Sequence, residues 1–270
     1  MVASRKAPFR VRPSVRAVVE QSWRALGDRN ASVDFAWLGR LSGASRERVE
    51  NALAELAELE EVERRVHAVQ RAAGRTNYAQ FRAPFELYAL VRLLRPDHIV
   101  ETGVSSGVSS THFLLGVRRN GRGTLHSIDL PLLQRGPRFT SRQSPVTLPP
   151  GRSSGWAVPD ELRDGWDLRI GTSERVLPAL VAELPSVGIF LHDSRHTAGH
   201  LRFELGTVRP KLPRGAVVLA DNTHWTGAAF PRFARQLGVP VRRRRRSDLV
   251  GLTVPRPSGR ETVDRRPRKL

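Results

Sequence analysis

Two stretches of this chain set candidate metal ligands and a candidate proton acceptor directly after apolar runs. V-G-I-F-L-H-D-S-R-H-T holds Asp193 and His196 three residues apart, and G-A-V-V-L-A-D-N-T-H-W sets Asp221 beside Asn222. Asp193, Asp221 and Asn222 together are a hard, all-oxygen donor set suited to Mg²⁺, with water or substrate filling the remaining positions. The same residue types also cap helices and form turns, so Asp193 can equally start a helix and Asp221-Asn222 a turn. A neutral imidazole at His196 is the natural base near physiological pH. His192, inside the apolar run, reads as structural, His200 as a helix-surface residue, and His224 and Trp225 as pocket lining.

Upstream, I-V-E-T-G-V-S-S-G-V-S-S ends an apolar run at Glu101 and continues through Gly103 and Gly107 into an amphipathic segment from Ser109. Strand, glycine turn and helix in that order aim free backbone N–H groups at an anionic ligand. The spacing is E-x-G-x-x-x-G rather than the dinucleotide pattern G-x-G-x-x-G. The next run, H-S-I-D-L, closes on Asp129, whose carboxylate can accept from two hydroxyls at once. Gly171-Thr172-Ser173 follows the third run.

Groups so spaced act together only if the runs are neighbouring strands. Strands are expected at 98–102, 124–130, 168–170, 187–192, 216–220, 239–243 and 249–254, with helices at 109–118, 173–182, 197–207 and 227–237. This alternation specifies an α/β fold, a Rossmann-like, doubly wound and mostly parallel sheet. The last two strands, with no helix between them, predict an antiparallel edge hairpin. Residues 242–246, all arginine, are expected on that edge strand and its turn, where charge discourages pairing with another chain.

Ahead of the sheet, residues 14–78 read as a small helical region, with helices near 14–26, 32–41 and from Ser45, then a charged connector and a break at 74–77. Two short helices about a glycine turn resemble a helix-turn-helix or winged-helix module, and this region is also a candidate for homodimer contacts. A helix over 85–94 leads into the sheet domain, 79–255, which holds a lid-like insertion at 131–160 rich in Pro, Gly, Ser and Arg. Residues 1–13 and 256–270 read as basic tails, the first disordered.

Composition narrows the classes. The 270 residues are 39% hydrophobic and contain no cysteine, which removes disulfides, zinc thiolates and a thiol nucleophile. No secretory signal or membrane-length apolar run is visible, so a cytoplasmic protein with no membrane partner is expected. The net charge is +19 and 42 of the 45 basic residues are arginine, a field that attracts anions, nucleic acid included. The arginines are spread along nearly the whole chain, which favours a solvated surface over a nucleic-acid site.

Taken as a set, E-T-G-V-S-S-G-V-S-S, H-S-I-D, G-T-S-E-R-V-L-P-A-L, F-L-H-D-S-R-H-T and V-V-L-A-D-N resemble a class I S-adenosylmethionine (SAM)-dependent methyltransferase. The nearest likeness is to a bacterial group with an H-D-S-x-H-T motif. G-T-S and L-A-D-N are also similar to catechol-type O-methyltransferases, and the Asp193/His196 spacing to metal-dependent sugar O-methyltransferases, whose His is the base. The resemblance spans residues 80–255. It implies SAM contacts at Glu101, Gly103, Ser105, Gly107, Ser109, Asp129, Thr172, Ser173 and Asp193. Ser105 and Ser109 would meet the methionine carboxylate, Asp129 the ribose, and Thr172 and Ser173 the adenine. It further implies Mg²⁺ on Asp193, Asp221 and Asn222, with His196 as catalytic base. One departure is visible: catechol-type enzymes carry a lysine near the metal Asp, where this chain has Arg195 and His196, and arginine cannot serve as a base. The expected activity is Mg²⁺-assisted O-methylation of a small hydroxylated acceptor. A nucleic-acid-binding or nucleic-acid-modifying methyltransferase is the alternative.

Overall fold

A computed structural model describes residues 33–72, 81, 83–130, 148–149 and 151–255. The expected tails, the helix at 14–26, the break at 74–77 and most of the 131–160 insertion lie outside the described residues.

The helical entry comprises α1 (Phe35–Ser42), α2 (Arg46–Ala54), a 3₁₀ turn (Glu55–Leu59), α3 (Glu60–Ala72) and α4 (Pro84–Leu94). Asp34 caps α1 by accepting from the Trp37 N–H at 3.0 Å, and Ser45 caps α2 by accepting from that of Arg48 at 3.3 Å. Each satisfies an amide that the first helical turn leaves without an internal partner. Gly43, in the left-handed region at φ 70°, ends α1.

Then come β1 (His98–Thr102), α5 (Val108–Asn120), β2 (Thr124–Asp129), β3 (Trp166–Ile170), α6 (Ser173–Glu183), β4 (Ile189–His192), α7 (Ala198–Val208), β5 (Val217–Ala220), α8 (Ala229–Gln236), β6 (Arg242–Arg243) and β7 (Val250–Thr253). The sheet order is β3-β2-β1-β4-β5-β7-β6. β1 to β5 pair in parallel, and β7 runs antiparallel to both β5 and β6. The order reverses between β1 and β4, so the crevice of this sheet opens beyond their C-terminal ends.

Successive side chains on a strand face opposite ways, and the apolar runs therefore feed two cores. Ile99, Leu125, Ile189, Leu191, Val217 and Leu219 pack with α1, α2, α4 and α5. Val100, Ile128, Phe190, Val218 and Ala220 pack with α6, α7 and α8. The N-terminal helices thus share a core with the sheet. Where α4 crosses α5, a Cβ on Gly116 would lie 2.7 Å from that of Val91, so the close approach depends on glycine.

In the arginine run at the edge, Arg243, Arg245 and Arg246 are exposed as expected, and Arg244 departs from that role. Arg244 is 3% exposed and its Nε donates to Glu86 Oε1 at 2.5 Å, while the Arg245 N–H donates to Asp34 Oδ2 at 3.0 Å. Trp37 Nε1–H donates to the Arg242 carbonyl at 2.8 Å, and the Thr253 hydroxyl to that of Leu41 at 2.7 Å. Both Glu86 and Arg244 are desolvated, and each makes the burial of the other tolerable. The edge hairpin is therefore riveted to α1 and α4, while most of its arginine side chains still face water.

Candidate functional site

Backbone hydrogen bonds continue across the sheet just past the strand ends. Gly103 N–H donates to Ile128 O, Asp193 N–H to Thr102 O and Asp221 N–H to His192 O, each at 2.9 Å. This ladder brings the tips of β2, β1, β4 and β5 together, with Asp193 and Asp221 on adjacent strands. Gly103 makes the turn at φ +89°, and a Cβ there would meet the Asp193 carbonyl oxygen at 2.1 Å. Only glycine allows the β1 turn to lie so close to the β4 tip.

Glu101 is fully buried. Its Oε2 accepts from Ser110 Oγ at 2.6 Å and Ser127 Oγ at 2.8 Å, while Oε1 has no hydrogen-bond partner among the described residues. Burial pushes its carboxyl up to about 7, against the pull of Ser109, Ser110 and Ser127. Ser109 is itself 4% exposed and turned toward Glu101. It lies in the first turn of α5, beside the glycine turn. Ser105, on the turn at φ 51°, carries a buried hydroxyl without a hydrogen-bond partner among the described residues. Gly107, at φ 94°, precedes α5, whose first amides point back to the turn.

Asp129 ends β2 and accepts from the Val104 N–H at 3.2 Å and from the Ser154 hydroxyl. Ser154 belongs to the far end of the insertion, which docks on the glycine turn. Gly155 N–H donates to Ser105 O at 2.8 Å and Ala157 N–H to Ser106 O at 3.0 Å. Thr172 and Ser173 follow β3 at the start of α6. Leu130 and Ile170, beyond the tips of β2 and β3, are 51% and 56% exposed, so two apolar side chains flank Asp129 in the open.

On the other side of the switch point, His196 Nε2 lies 3.3 Å from Asp193 Oδ1. Burial lowers the His196 pKa, which keeps the ring neutral at physiological pH. Burial also pushes the Asp193 and Asp221 carboxyls up to about 7, and for Asp221 the next cause is repulsion from Asp193. Asn222 completes the turn at φ 52°, its amide 3.4 Å from Asp221 Oδ2. Among the described residues no group of three or more His, Cys, Asp or Glu could hold a metal ion. The candidate set here consists of two carboxylates and an amide.

Beneath the tips lies a polar network centred on Glu204 of α7, a residue absent from the expected site. Its carboxylate accepts from Thr102 Oγ1 at 2.8 Å and Ser194 Oγ at 2.9 Å, and meets His192 Nδ1 at 2.6 Å and His200 Nε2 at 2.9 Å. His200 is 8% exposed and reaches Glu174 through Nδ1 at 3.0 Å, so it is an interior bridge and not the helix-surface residue expected. Burial disfavours the Glu204 charge, but His192 and His200 outweigh that and hold its pKa below the usual range. A glutamate four residues after a histidine on a helix was the available signal, a common pairing with nothing to mark it as central.

Residues 100–223, which run from β1 to the turn after β5, match the family described as a methyltransferase domain. Cofactor-bound Rv0187 from MTB has a similar fold, with a TM-score of 0.51 at 15% identity over 76% of this chain and 96% of that one. The O-methyltransferase TomG from Streptomyces achromogenes (TM-score 0.49, 16% identity, 72% of this chain and 90% of that) is also similar. So is the calicheamicin methyltransferase CalS11 (TM-score 0.47, 19% identity, 81% and 90%). No curated protein matches the chain. Within the matched span, the glycine turn and Asp129 lie on one side of the β1/β4 switch point and Asp193, His196 and Asp221 on the other.

Proposed function

We propose that this protein is a SAM-dependent O-methyltransferase acting on a small hydroxylated acceptor, with a divalent cation, Mg²⁺ for preference, at Asp193, Asp221 and Asn222. The observation that carries the reading is the convergence of Asp193 and Asp221 on adjacent strand tips with His196 at 3.3 Å from the first. Two buried carboxylates, the second raised further by repulsion from the first, with no arginine or lysine paired to either among the described residues, suit a cation. A bound cation would lower the pKa of an acceptor hydroxyl, and SAM would supply an electrophilic methyl group.

The chain's own residues would do the rest. The turn amides at Gly103 to Gly107 and the start of α5 would hold the methionine end of SAM, Asp129 would accept the ribose hydroxyls, and Leu130 and Ile170 would cover the adenine. Ser154 must yield its hydrogen bond to Asp129, wholly or in part, when the ribose arrives. His196, neutral and oriented by Asp193, takes the proton from the acceptor hydroxyl. Holding both reactants in line accounts for most of the acceleration.

Calorimetric titration with SAM, with and without Mg²⁺, joined to a methyl-acceptor screen, tests this reading. Asp221→Ala is expected to cut turnover by at least 100-fold while SAM affinity stays within about threefold of wild type. Turnover that persists undiminished in EDTA would remove the cation from the mechanism. Absence of SAM binding would remove the whole reading.

A further inference from the structure

Apart from the strand tips, α7 and α8 lie side by side over the second core and leave a groove of about 210 Å³ between them. α7 faces it with Arg202, Leu205, Gly206 and Arg209, and α8 with Ala229, Arg232, Phe233 and Gln236. Both sets follow the spacing i, i+3, i+4, i+7, which is one continuous stripe of a helix. Leu205, Ala229 and Phe233 are 1%, 3% and 5% exposed and form an apolar floor. Arg202, Arg209 and Arg232 are exposed and make the rim.

Two features distinguish this groove from an ordinary seam between helices. The first is its charge. No carboxylate lines it, and the three guanidiniums have neither a salt bridge nor a side-chain hydrogen bond among the described residues. Arg92, Arg163 and Arg169 elsewhere each meet a carboxylate. Arginine cannot shed its proton, so three like charges around one apolar hollow repel one another until an anion arrives. The second feature is Gly206. It stands in the interior of α7, where only proline is less favourable than glycine. Its φ is not positive, and a Cβ there would meet nothing within 4 Å. Neither a turn nor a close neighbour requires the glycine, and its one structural effect is to keep the groove open midway along α7.

We infer that this groove binds a small anion with an apolar body, a carboxylate or phosphate monoester on a short alkyl chain. The body lies on Leu205, Ala229 and Phe233, where it removes apolar surface from water. The head pairs with the rim, since the forked N–H groups of a guanidinium match either oxyanion. Arg202 and Arg209 are seven residues apart, about 10 Å along the helix axis, so a head held at one end leaves the chain running along the floor. Pockets for cofactor-sized ligands begin at roughly 300 Å³, and the occupant here is smaller. The site does not depend on the methyltransferase reading.

The test titrates the isotope-labelled full chain with hexanoate, hexyl phosphate, hexanol and inorganic phosphate, and follows the amide chemical shifts of residues 202–209 and 229–236. At least one anionic chain is expected to bind about tenfold or more tightly than hexanol or inorganic phosphate, because only it uses both floor and rim. The two anionic arms tell a carboxylate ligand from a phosphate. Arg232→Ala should weaken binding by about fivefold or more, and Arg48→Ala, which removes the same charge from the exposed side of α2, should leave it within about twofold. Gly206→Ala should raise the thermal midpoint, and Gly206→Leu should keep the fold and weaken binding by about tenfold or more. The inference is overturned if neither anionic chain binds, or if hexanol or inorganic phosphate binds as tightly. Equal losses in Arg232→Ala and Arg48→Ala would overturn it too, by tracing the binding to net charge alone. So would binding that survives Gly206→Leu within about twofold, or a thermal midpoint lowered by Gly206→Ala, which would make the glycine a packing requirement.

Discussion

A methyl group on Gly103 would sit 2.1 Å from the Asp193 carbonyl oxygen, on backbone already at φ +89°. Neither main-chain segment can yield, because both are tied into the ladder across the strand tips. Gly103→Ala is therefore expected to destabilise the fold by ~3 kcal/mol, read as a lower denaturant midpoint at unchanged slope. SAM affinity should fall with it, which a surface glycine such as Gly121 would not show, since a Cβ there meets nothing within 4 Å. At this scale the sequence is informative where an apolar run stops. Asp129, Asp193 and Asp221 are visible because each is the carboxylate at or just past the end of a buried strand. Ser109 and Ser154 could not be assigned that way. Ser109 turns toward Glu101 and Ser154 toward Asp129, and such partners are set by tertiary packing, with no local pattern to announce them.

The elements were the most legible level, and α7 shows where legibility stopped. Its apolar spacing predicts a helix, yet the pairing of its two polar interior residues depends on which strands it covers. His200 illustrates the consequence for stability. Burial disfavours its charge, but Glu204 and Glu174 outweigh that and raise its pKa above the usual value. A raised histidine pKa stabilises the fold fully below the ordinary value near 6.5, and the contribution is lost as pH climbs through the raised one. Glu204, held below its ordinary value, contributes at pH above about 4.5 and loses that contribution as pH falls through its depressed pKa. The network is thus strongest between roughly pH 4.5 and 6.5. Thermal midpoints of wild type and His200→Gln should differ most near pH 5 to 6 and converge at higher pH. A constant gap across that range would show that His200 acts only through its shape. The edge hairpin was harder still, since β6 has two residues and its arginines look like any solvated run until Glu86 and Asp34 are brought opposite them.

For the whole molecule the dominant fact is the +19 charge. It is what remains after the acidic residues are counted, including those in ion pairs such as Arg92 with Glu55 at 2.6 Å and Arg169 with Glu183 at 2.7 Å. A long-range positive field nonetheless attracts polyanions. Duplex DNA of unrelated sequences should bind with equal, weak affinity that falls steeply and linearly in a log–log plot against salt, as counterion release requires. A footprint at one sequence would instead restore the nucleic-acid reading. No described helix is long and apolar enough to cross a membrane. The rivets between the edge hairpin and the entry helices carry one more consequence. The span shared with the family ends at residue 223 and begins at residue 100, which leaves Glu86, Asp34, Arg244 and β7 outside it. Expressed by itself, that span would bare the flank of β5 and the part of one sheet face that α1, α2 and α4 cover. Its fate should be inclusion bodies, while the 33–255 piece stays monodisperse: what relatives hold in common is smaller than what can stand unaided.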